Sequence, residues 1–118
     1  MRNMRREYKK DSFIKEMCGR IFRSFIDIFI LFNLAKTSFL SGYDIITKVN
    51  REYGFLPSPG TVYSVLYKLE RDGLIKGQEM SGKRIYCITE KGRKSVEFIS
   101  KNRSVILKSI EHIIASLT

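Results

Sequence analysis

The hydrophobic period of the sequence changes at Gly73, and this change limits the possible folds more than any other feature of the chain. Before Gly73, apolar residues recur every three or four positions, as they do along amphipathic helices. Two short extended runs follow, at residues 74–79 and 84–89, and the helical period then returns. Gly82, between the two runs, suits a tight hairpin turn. The predicted order is therefore helices, one β-hairpin and a final helix.

The first two helices are predicted from apolar spacing and from residues that start and stop helices. Residues 12–36 predict an amphipathic helix in which Gly19 is a candidate break. Ser41, with Asp44 three positions later, resembles a capping box in which Asp replaces the usual Glu. Gly54 is expected to end that second helix, because glycine readily adopts the left-handed conformation found after helix C-termini.

The third helix has a strong start signal. The Ser58 hydroxyl is expected to cap it, Pro59 suits its first position, and Gly73 closes it. Three apolar residues are predicted to face the core: Val62, Leu66 and Leu69. Polar and charged residues share the opposite stripe: Thr61, Ser64, Lys68 and Arg71.

The last helix, after Thr89 as its predicted N-cap, carries a heptad seam. The apolar residues of this seam are Val96, Ile99, Ile106, Ile110, Ile113 and Leu117. Arg103 interrupts the seam, and we expect its stem to lie along apolar surface with the charge in solvent. A single helix of this kind exposes more apolar surface than a small domain can cover, which predicts a homodimer.

The positive charge of the chain is concentrated in two segments. The net charge is +10, and residues 1–24 hold eight Lys or Arg against three Asp or Glu. Residues 74–94, which include the hairpin, hold six against two, whereas residues 25–73 are balanced. Such an excess points to a polyanionic partner, either nucleic acid or an anionic membrane.

The few histidines and cysteines exclude several kinds of chemistry. His112, Cys18 and Cys87 are the only residues of these two types, and their spacing fits neither a zinc site nor a disulfide framework. A lone histidine without a convergent acid, base or nucleophile argues against an enzyme, so no catalytic residue, metal or cofactor is expected. The longest apolar run, residues 25–34, is too short to cross a bilayer. We expect a cytoplasmic protein that does not bind membranes.

This order of elements predicts a mainly α fold with a small β-hairpin wing, a winged helix-turn-helix with a long C-terminal dimerisation helix. Three parts are predicted: a basic N-terminal arm at 1–24, a DNA-binding domain at 25–94 and a dimerisation helix at 95–118. The third helix is expected to enter the major groove while the wing contacts the backbone. The predicted DNA-binding residues are Ser58, Thr61, Tyr63, Ser64, Lys68, Lys83 and Arg84.

Three motifs resemble the PadR family of transcriptional regulators: GYDI at 42–45, PGTVYSVLYKLERDGLI at 59–75 and RIYCITEKGR at 84–93. The resemblance covers roughly residues 25–100 and is closest to the smaller PadR proteins with a short C-terminal helix. It implies a homodimeric winged-helix repressor, with the C-terminal helix as dimerisation arm and Tyr63 at the DNA face. Some relatives bind planar aromatic effectors, using tryptophan, in a cavity between the first and last helices. This chain has no tryptophan.

The charge alone leaves an alternative function open. A chain with this excess of basic residues is also compatible with an architectural protein that coats DNA with little regard to sequence. The basic segment at 1–24 is amphipathic and could dock on anionic lipid, although we favour packing in the dimer. The Phe-rich first helix, with Phe22, Phe25, Phe29 and Phe32, faces the last helix and is where a cavity for an effector would lie, although ordinary core packing is the preferred interpretation.

Overall fold

The computed structural model describes residues 12–116. Most of these residues are helical, and three short strands form one antiparallel sheet. In chain order the elements are α1 Ser12–Ser24, α2 Ile26–Lys36, β1 Leu40–Ser41, α3 Gly42–Tyr53, α4 Pro59–Arg71, β2 Ile75–Met80, β3 Lys83–Ile88, α5 Glu90–Lys101 and α6 Arg103–Ala115. The predicted winged helix-turn-helix is confirmed, with α3 and α4 as the helix pair and β2 and β3 as the wing. Leu117 and residues 1–11 of the predicted arm lie outside the described residues.

The first predicted helix is broken, but at Phe25 and not at Gly19. Gly19 lies buried inside α1, where the helix continues through it. At Phe25 the backbone N–H donates to the Phe22 carbonyl, three residues back, and the chain leaves helical geometry for one residue. The buried residues Phe22 and Ile26 lie on either side of this break. The break therefore follows from packing rather than from the flexibility of glycine.

The start and end of α3 agree with the prediction. Ser41 Oγ accepts a hydrogen bond from the Asp44 N–H, and Asp44 Oδ2 accepts one from the Ser41 N–H, which completes the capping box. The same backbone hydrogen bond lowers the pKa of Asp44 below its ordinary value of 3.8, because it stabilises the carboxylate. Gly54 closes the helix in the left-handed conformation with φ of 80°.

The start of α4 differs in one detail from the prediction. Ser58 is the N-cap residue, but its hydroxyl makes no capping hydrogen bond. The first turn is closed instead by the backbone hydrogen bond from the Val62 N–H to the Ser58 carbonyl, and Pro59 already has the φ that a helix needs. The prediction of a capping hydroxyl was wrong, and the Ser58 side chain is exposed for another contact.

The wing is a β-hairpin with a two-residue turn, and a third strand attaches it to the domain. Residues Ser81 and Gly82 form its turn, and both have positive φ, at 51° and 78°. The observed strands differ from the predicted ones by one residue at each end. Strand β1 was not predicted, because two residues are too few to show an alternating pattern. It pairs with β3 only opposite Ile85 and Tyr86, so the outer part of the hairpin extends beyond the sheet.

The core lies between α2, α3, α4 and the sheet. The three residues of α4 that were predicted to face inward are buried, as expected. The side chains of the core belong to Phe22, Ile26, Ile30, Leu31, Leu34, Leu40, Ile45, Val49, Val62, Leu66, Leu69, Ile75 and Tyr86. Burial of this apolar surface holds α4 against the domain on one face and leaves the other face exposed.

The C-terminal segment is not the single long helix that was predicted, because it is broken at Asn102. The Asn102 side chain donates to the Phe98 carbonyl, and its backbone φ and ψ of −105° and 16° leave the helical region. Thr89 caps α5 as predicted by accepting from the Gly92 N–H. Along the predicted seam, Val96, Ile99, Ile106 and Ile110 are partly buried and Ile113 is exposed.

Candidate nucleic-acid interface

The outer face of α4 presents short polar side chains to solvent. Thr61, Ser64 and Lys68 are exposed there, on the side of the helix opposite its buried apolar residues. Ser58 is exposed at the N-terminal end of the helix. All four are predicted site residues, and the structure places them along one helix. Hydroxyl and ammonium groups in this arrangement can donate hydrogen bonds to base edges and phosphates.

Tyr63 packs against Gly42, which lies on the neighbouring helix. Its ring packs so closely over Gly42 that a Cβ atom at that position would lie 2.5 Å from the ring. About half of the Tyr63 side chain stays exposed, and its hydroxyl also lies close to Gly42. The first residue of α3 and the second turn of α4 therefore meet at this tyrosine.

Two further tyrosines lie on the surface of the helix pair. Tyr43, next to Gly42, is 70% exposed, and Tyr67, one turn after Tyr63, is 68% exposed. The guanidinium of Arg71 lies 6.0 Å from the Tyr67 ring centre. Tyr43 was not among the predicted site residues. Its position outside the apolar stripe of α3 was the available signal, because a large aromatic residue placed there has no role in the core.

The two basic residues predicted at the wing tip have different surroundings. Lys83 pairs with Met80 next to the turn and is exposed. Arg84 turns back toward α4, where its Nη2 donates to Glu70 Oε2 at 2.7 Å, while Nη1 lies 3.6 Å from Glu79 Oε1. The hydrogen bond to Glu70 raises the pKa of Arg84 above its already high value. Glu70 was not predicted as a site residue, because its partner Arg84 lies fourteen residues away in another element.

A shallow cleft of about 570 Å³ lies between α4 and the wing. It is lined by Tyr63, Tyr67, Glu70, Arg71, Arg84 and Tyr86. Burial raises the pKa of Tyr86, whose hydroxyl stays protonated and able to donate. No group of three or more metal-binding side chains occurs among residues 12–116. The cleft thus offers hydroxyls and the guanidinium groups of Arg71 and Arg84 beside the Glu70 carboxylate that binds Arg84, and the hydroxyls and guanidinium groups suit the backbone of a nucleic acid.

A separate apolar groove of about 360 Å³ runs between the first two and the last two helices. Its lining includes Ile21, Phe25, Ile28, Phe32, Ile99, Arg103, Ile106 and Ile110. Of the four phenylalanines predicted to border a cavity, Phe25 and Phe32 line this groove. Phe22 and Phe29 lie outside this groove and pack with their ring centres 5.2 Å apart, but all four phenylalanines border a neighbouring cavity of about 500 Å³ beside Tyr53 of α3. None of the helices within 12–116 is long and apolar enough to cross a bilayer.

Comparison with known proteins identifies the family. The model of the transcriptional regulator PadR-like family matches residues 30–97, which is more than half of the chain and includes both α4 and the wing. The chain belongs to the PadR-like family. This family consists of DNA-binding transcriptional regulators and not of enzymes. No curated protein sequence matches the chain.

Solved structures of other PadR-like proteins share the fold. A PadR family transcription regulator from Clostridium difficile is 29% identical, with a TM-score of 0.64 over 76% of this chain and 98% of that one. A transcriptional regulator from Clostridium thermocellum is 25% identical, with a TM-score of 0.67 over 78% and 92%. PadR of Bacillus subtilis, solved in complex with operator DNA, is 29% identical, with a TM-score of 0.55 over 61% of this chain and 44% of that one.

Proposed function

We propose that this PadR-like chain is a sequence-specific regulator of transcription that binds double-stranded DNA as a homodimer and represses its target genes in the cytoplasm. The observation that carries the proposal is the polar outer face of α4 beside a basic wing. The similar Bacillus subtilis protein, which was solved with operator DNA, supports the same partner for this chain. A bound dimer would repress by occupying DNA that the transcription machinery needs.

In this proposal α4 reads the major groove. Thr61, Ser64 and Lys68 reach base edges, and Ser58 contacts the backbone at the N-terminal end of the helix. From its position over Gly42, the Tyr63 side chain donates its hydroxyl hydrogen to a phosphate. Short side chains on a helix with an apolar inner face are well suited to groove entry, because they let the helix backbone approach the bases.

The wing supplies the electrostatic attraction. Lys83 is exposed next to the turn, and a lysine there would release a counterion from the DNA on contact with a phosphate. Arg84 borders the cleft between the wing and α4, so its guanidinium also faces the proposed path of the backbone. These two residues complete the proposed DNA-binding set.

The proposed dimer forms through the C-terminal segment. Helix α6 has no buried residue within the described chain, and Val105, Leu107, Ile113 and Ile114 are between 57% and 70% exposed. A second copy that covers this surface, together with the partly buried Ile99, Ile106 and Ile110, would remove a large apolar area from water. We assign residues 95–118 to dimerisation, 25–94 to DNA binding and 1–24 to a basic extension.

The apolar groove is where we place any effector. A small aromatic molecule bound between Phe25, Phe32 and Ile106 would change the packing of α6 against α2. Because α6 is the proposed dimer arm, this would alter the spacing of the two reading helices. A screen of planar aromatic compounds by thermal shift tests this, since a ligand that binds the folded chain raises its melting temperature, and the stabilisation grows with the logarithm of ligand concentration over Kd.

Selection of duplexes from a random pool, followed by titration from low to near-physiological salt, tests the main proposal. A selected duplex should contain a palindrome with half-sites about one helical turn apart, and it should bind about 10³-fold more tightly than a scrambled duplex. The alternative is an architectural DNA-coating protein, which the net charge of +10 favours. In that case no sequence is enriched, and both affinities fall together as the salt rises.

A further inference from the structure

One carboxylate of the reading helix binds both strands of the wing. Glu70, close to the C-terminal end of α4, accepts a hydrogen bond from Arg84 on β3 at 2.7 Å. The same oxygen accepts a second one from the backbone N–H of Gly77 on β2 at 3.3 Å. The side chain of a single residue thus connects the helix to each arm of the hairpin.

The guanidinium of Arg84 is held in place on several sides. It lies 5.8 Å from the centre of the Tyr86 ring, and Glu79 provides a second carboxylate at 3.6 Å. Gly77 leaves space for it, because a Cβ atom there would come within 2.8 to 2.9 Å of the guanidinium group. Although the Arg84 side chain is 42% exposed, these contacts direct its guanidinium toward other parts of the protein and place it to link them.

The hydrogen bond between Glu70 and Arg84 matters because of its position along the hairpin. Strand β1 supports the hairpin only opposite Ile85 and Tyr86. Beyond those residues, the two strands pair only with each other, and residues 78–84 are exposed. Isolated two-stranded hairpins are marginally stable in water, so the outer wing depends on contacts to the rest of the domain. Lys83 interacts electrostatically with Asp44 on α3, but among the described hydrogen bonds and ion pairs to other elements, the one between Glu70 and Arg84 lies nearest the tip.

We propose that Glu70 is a positioning residue, which acts through Arg84 to hold the wing at a set angle to the reading helix and so places Lys83 on the DNA backbone. This inference rests on the proposed DNA-binding function. It also changes the role of Arg84, whose guanidinium would serve the protein scaffold first and the phosphate second. The wing tip and α4 would then approach DNA as one rigid surface.

The mobility of the wing can be tested without DNA through its backbone dynamics. We expect the order parameters of the Ser81 and Gly82 amides to fall from about 0.85 to below about 0.6 in Glu70→Ala, which removes both hydrogen bonds, measured by NMR relaxation. Glu79→Ala removes a carboxylate from the same guanidinium but leaves the bond to α4, so its order parameters should match those of the wild type. Equal wing dynamics in the wild type and Glu70→Ala would overturn the proposal.

Binding to the selected duplex provides a second test, because the two possible roles of Arg84 predict opposite changes in affinity. If Glu70 positions the wing, Glu70→Ala should weaken binding about 3- to 10-fold and reduce the salt slope by about 1, since the Lys83 contact is lost. If Arg84 instead acts mainly as a phosphate contact, removal of Glu70 should release it, tighten binding and steepen the slope. That second outcome would contradict the inference.

A double variant shows whether Glu70 acts through Lys83. Lys83→Ala alone should weaken binding by a similar factor, and adding Glu70→Ala should have little further effect, because the contact is already absent. Effects that multiply would contradict the proposed route. If the wild type shows no preference for a selected sequence, the proposed function fails, whereas the order parameters still decide the role of Glu70.

Discussion

At the scale of single residues, the contact between Gly42 and Tyr63 connects the fold to the proposed function. The tyrosine ring rests where a side chain on α3 would otherwise be, and about half of the residue is exposed. Both residues belong to motifs of the family resemblance, but the sequence does not show that the two motifs touch. Only the crossing of α3 and α4 brings them together.

Gly42→Ala tests this contact. The added methyl group should displace the half-exposed Tyr63 ring with little loss of stability, because the ring can swing toward solvent. Binding to the selected duplex should weaken about 3- to 10-fold, as expected for the loss of one phosphate contact. In a Tyr63→Ala background the same change should have no further effect on affinity, as measured by fluorescence anisotropy. An undiminished effect there would separate Gly42 from Tyr63.

Asp44 makes stability depend on pH at the start of α3. The hydrogen bond from the Ser41 backbone lowers the pKa of Asp44 in the folded state, so its contribution is complete above the ordinary value of 3.8. That contribution is lost as the pH falls through the lower folded value. At pH 7, Asp44→Asn should reduce the free energy of unfolding by about 1 kcal/mol. Urea titrations at several pH values should show the difference shrinking below pH 3.8, whereas a constant difference would contradict this account.

At the scale of elements, close backbone contact joins the wing to α5. Gly92 is buried in the first turn of α5, and a Cβ atom there would collide with the Leu74 carbonyl oxygen. The Thr89 hydroxyl, which caps the same helix, also donates to Leu74 and Gly73 carbonyls at the base of the hairpin. The base of the wing is therefore built into the start of α5, which leads into the segment that we propose forms the dimer.

Gly92→Ala should be destabilising although alanine normally favours helices. The neighbour is a backbone carbonyl that cannot move aside alone, so the free energy of unfolding should fall by about 1–3 kcal/mol. Gly60→Ala is the matched control, because its surroundings in the first turn of α4 are open and only Ser58 Oγ lies near, at 3.7 Å. That control should be neutral or stabilising by up to about 1 kcal/mol. Thermal melts that rank the two variants in the opposite order would contradict this explanation.

Elements defined by local chemistry were predictable, and those defined by packing were not. The capping box of α3 and the turn at Gly82 involve neighbouring residues whose hydrogen bonds and φ values follow from residue type. The breaks at Phe25 and Asn102 occur without glycine or proline, in segments whose apolar period continues on both sides. The bond between Glu70 and Arg84 joins two elements whose relative placement only the tertiary fold defines.

At the scale of the whole molecule, the described chain is elongated and measures 51 × 29 × 24 Å. Its compact part contains the core, the reading helix and the base of the wing. Helix α6 contributes no buried residue to that core. This distribution agrees with a domain that is stable alone and an arm that gains its packing from a second copy.

A charge placed on the exposed seam should break the proposed dimer without unfolding the domain. Ile113→Glu should weaken dimerisation about 10- to 100-fold, because it places a carboxylate in an apolar interface. The residue is 70% exposed in the single chain, so the far-UV circular dichroism should not change. His112→Glu introduces the same charge at the adjacent exposed position and should have a smaller effect in sedimentation equilibrium. A dimer that tolerates Ile113→Glu equally well would exclude this helix as the interface.

The separation between the polar face of α4 and the basic wing has a consequence for how the protein could be changed. Residues 25–73, which include α4, are balanced in charge, whereas residues 74–94, which include the wing and the start of α5, hold six Lys or Arg against two Asp or Glu. In the proposed function, attraction to any DNA and choice of sequence then depend on different side chains. Replacing Thr61 and Ser64 by other residues should therefore redirect the protein to a new DNA sequence. The rate at which it searches the chromosome should stay the same.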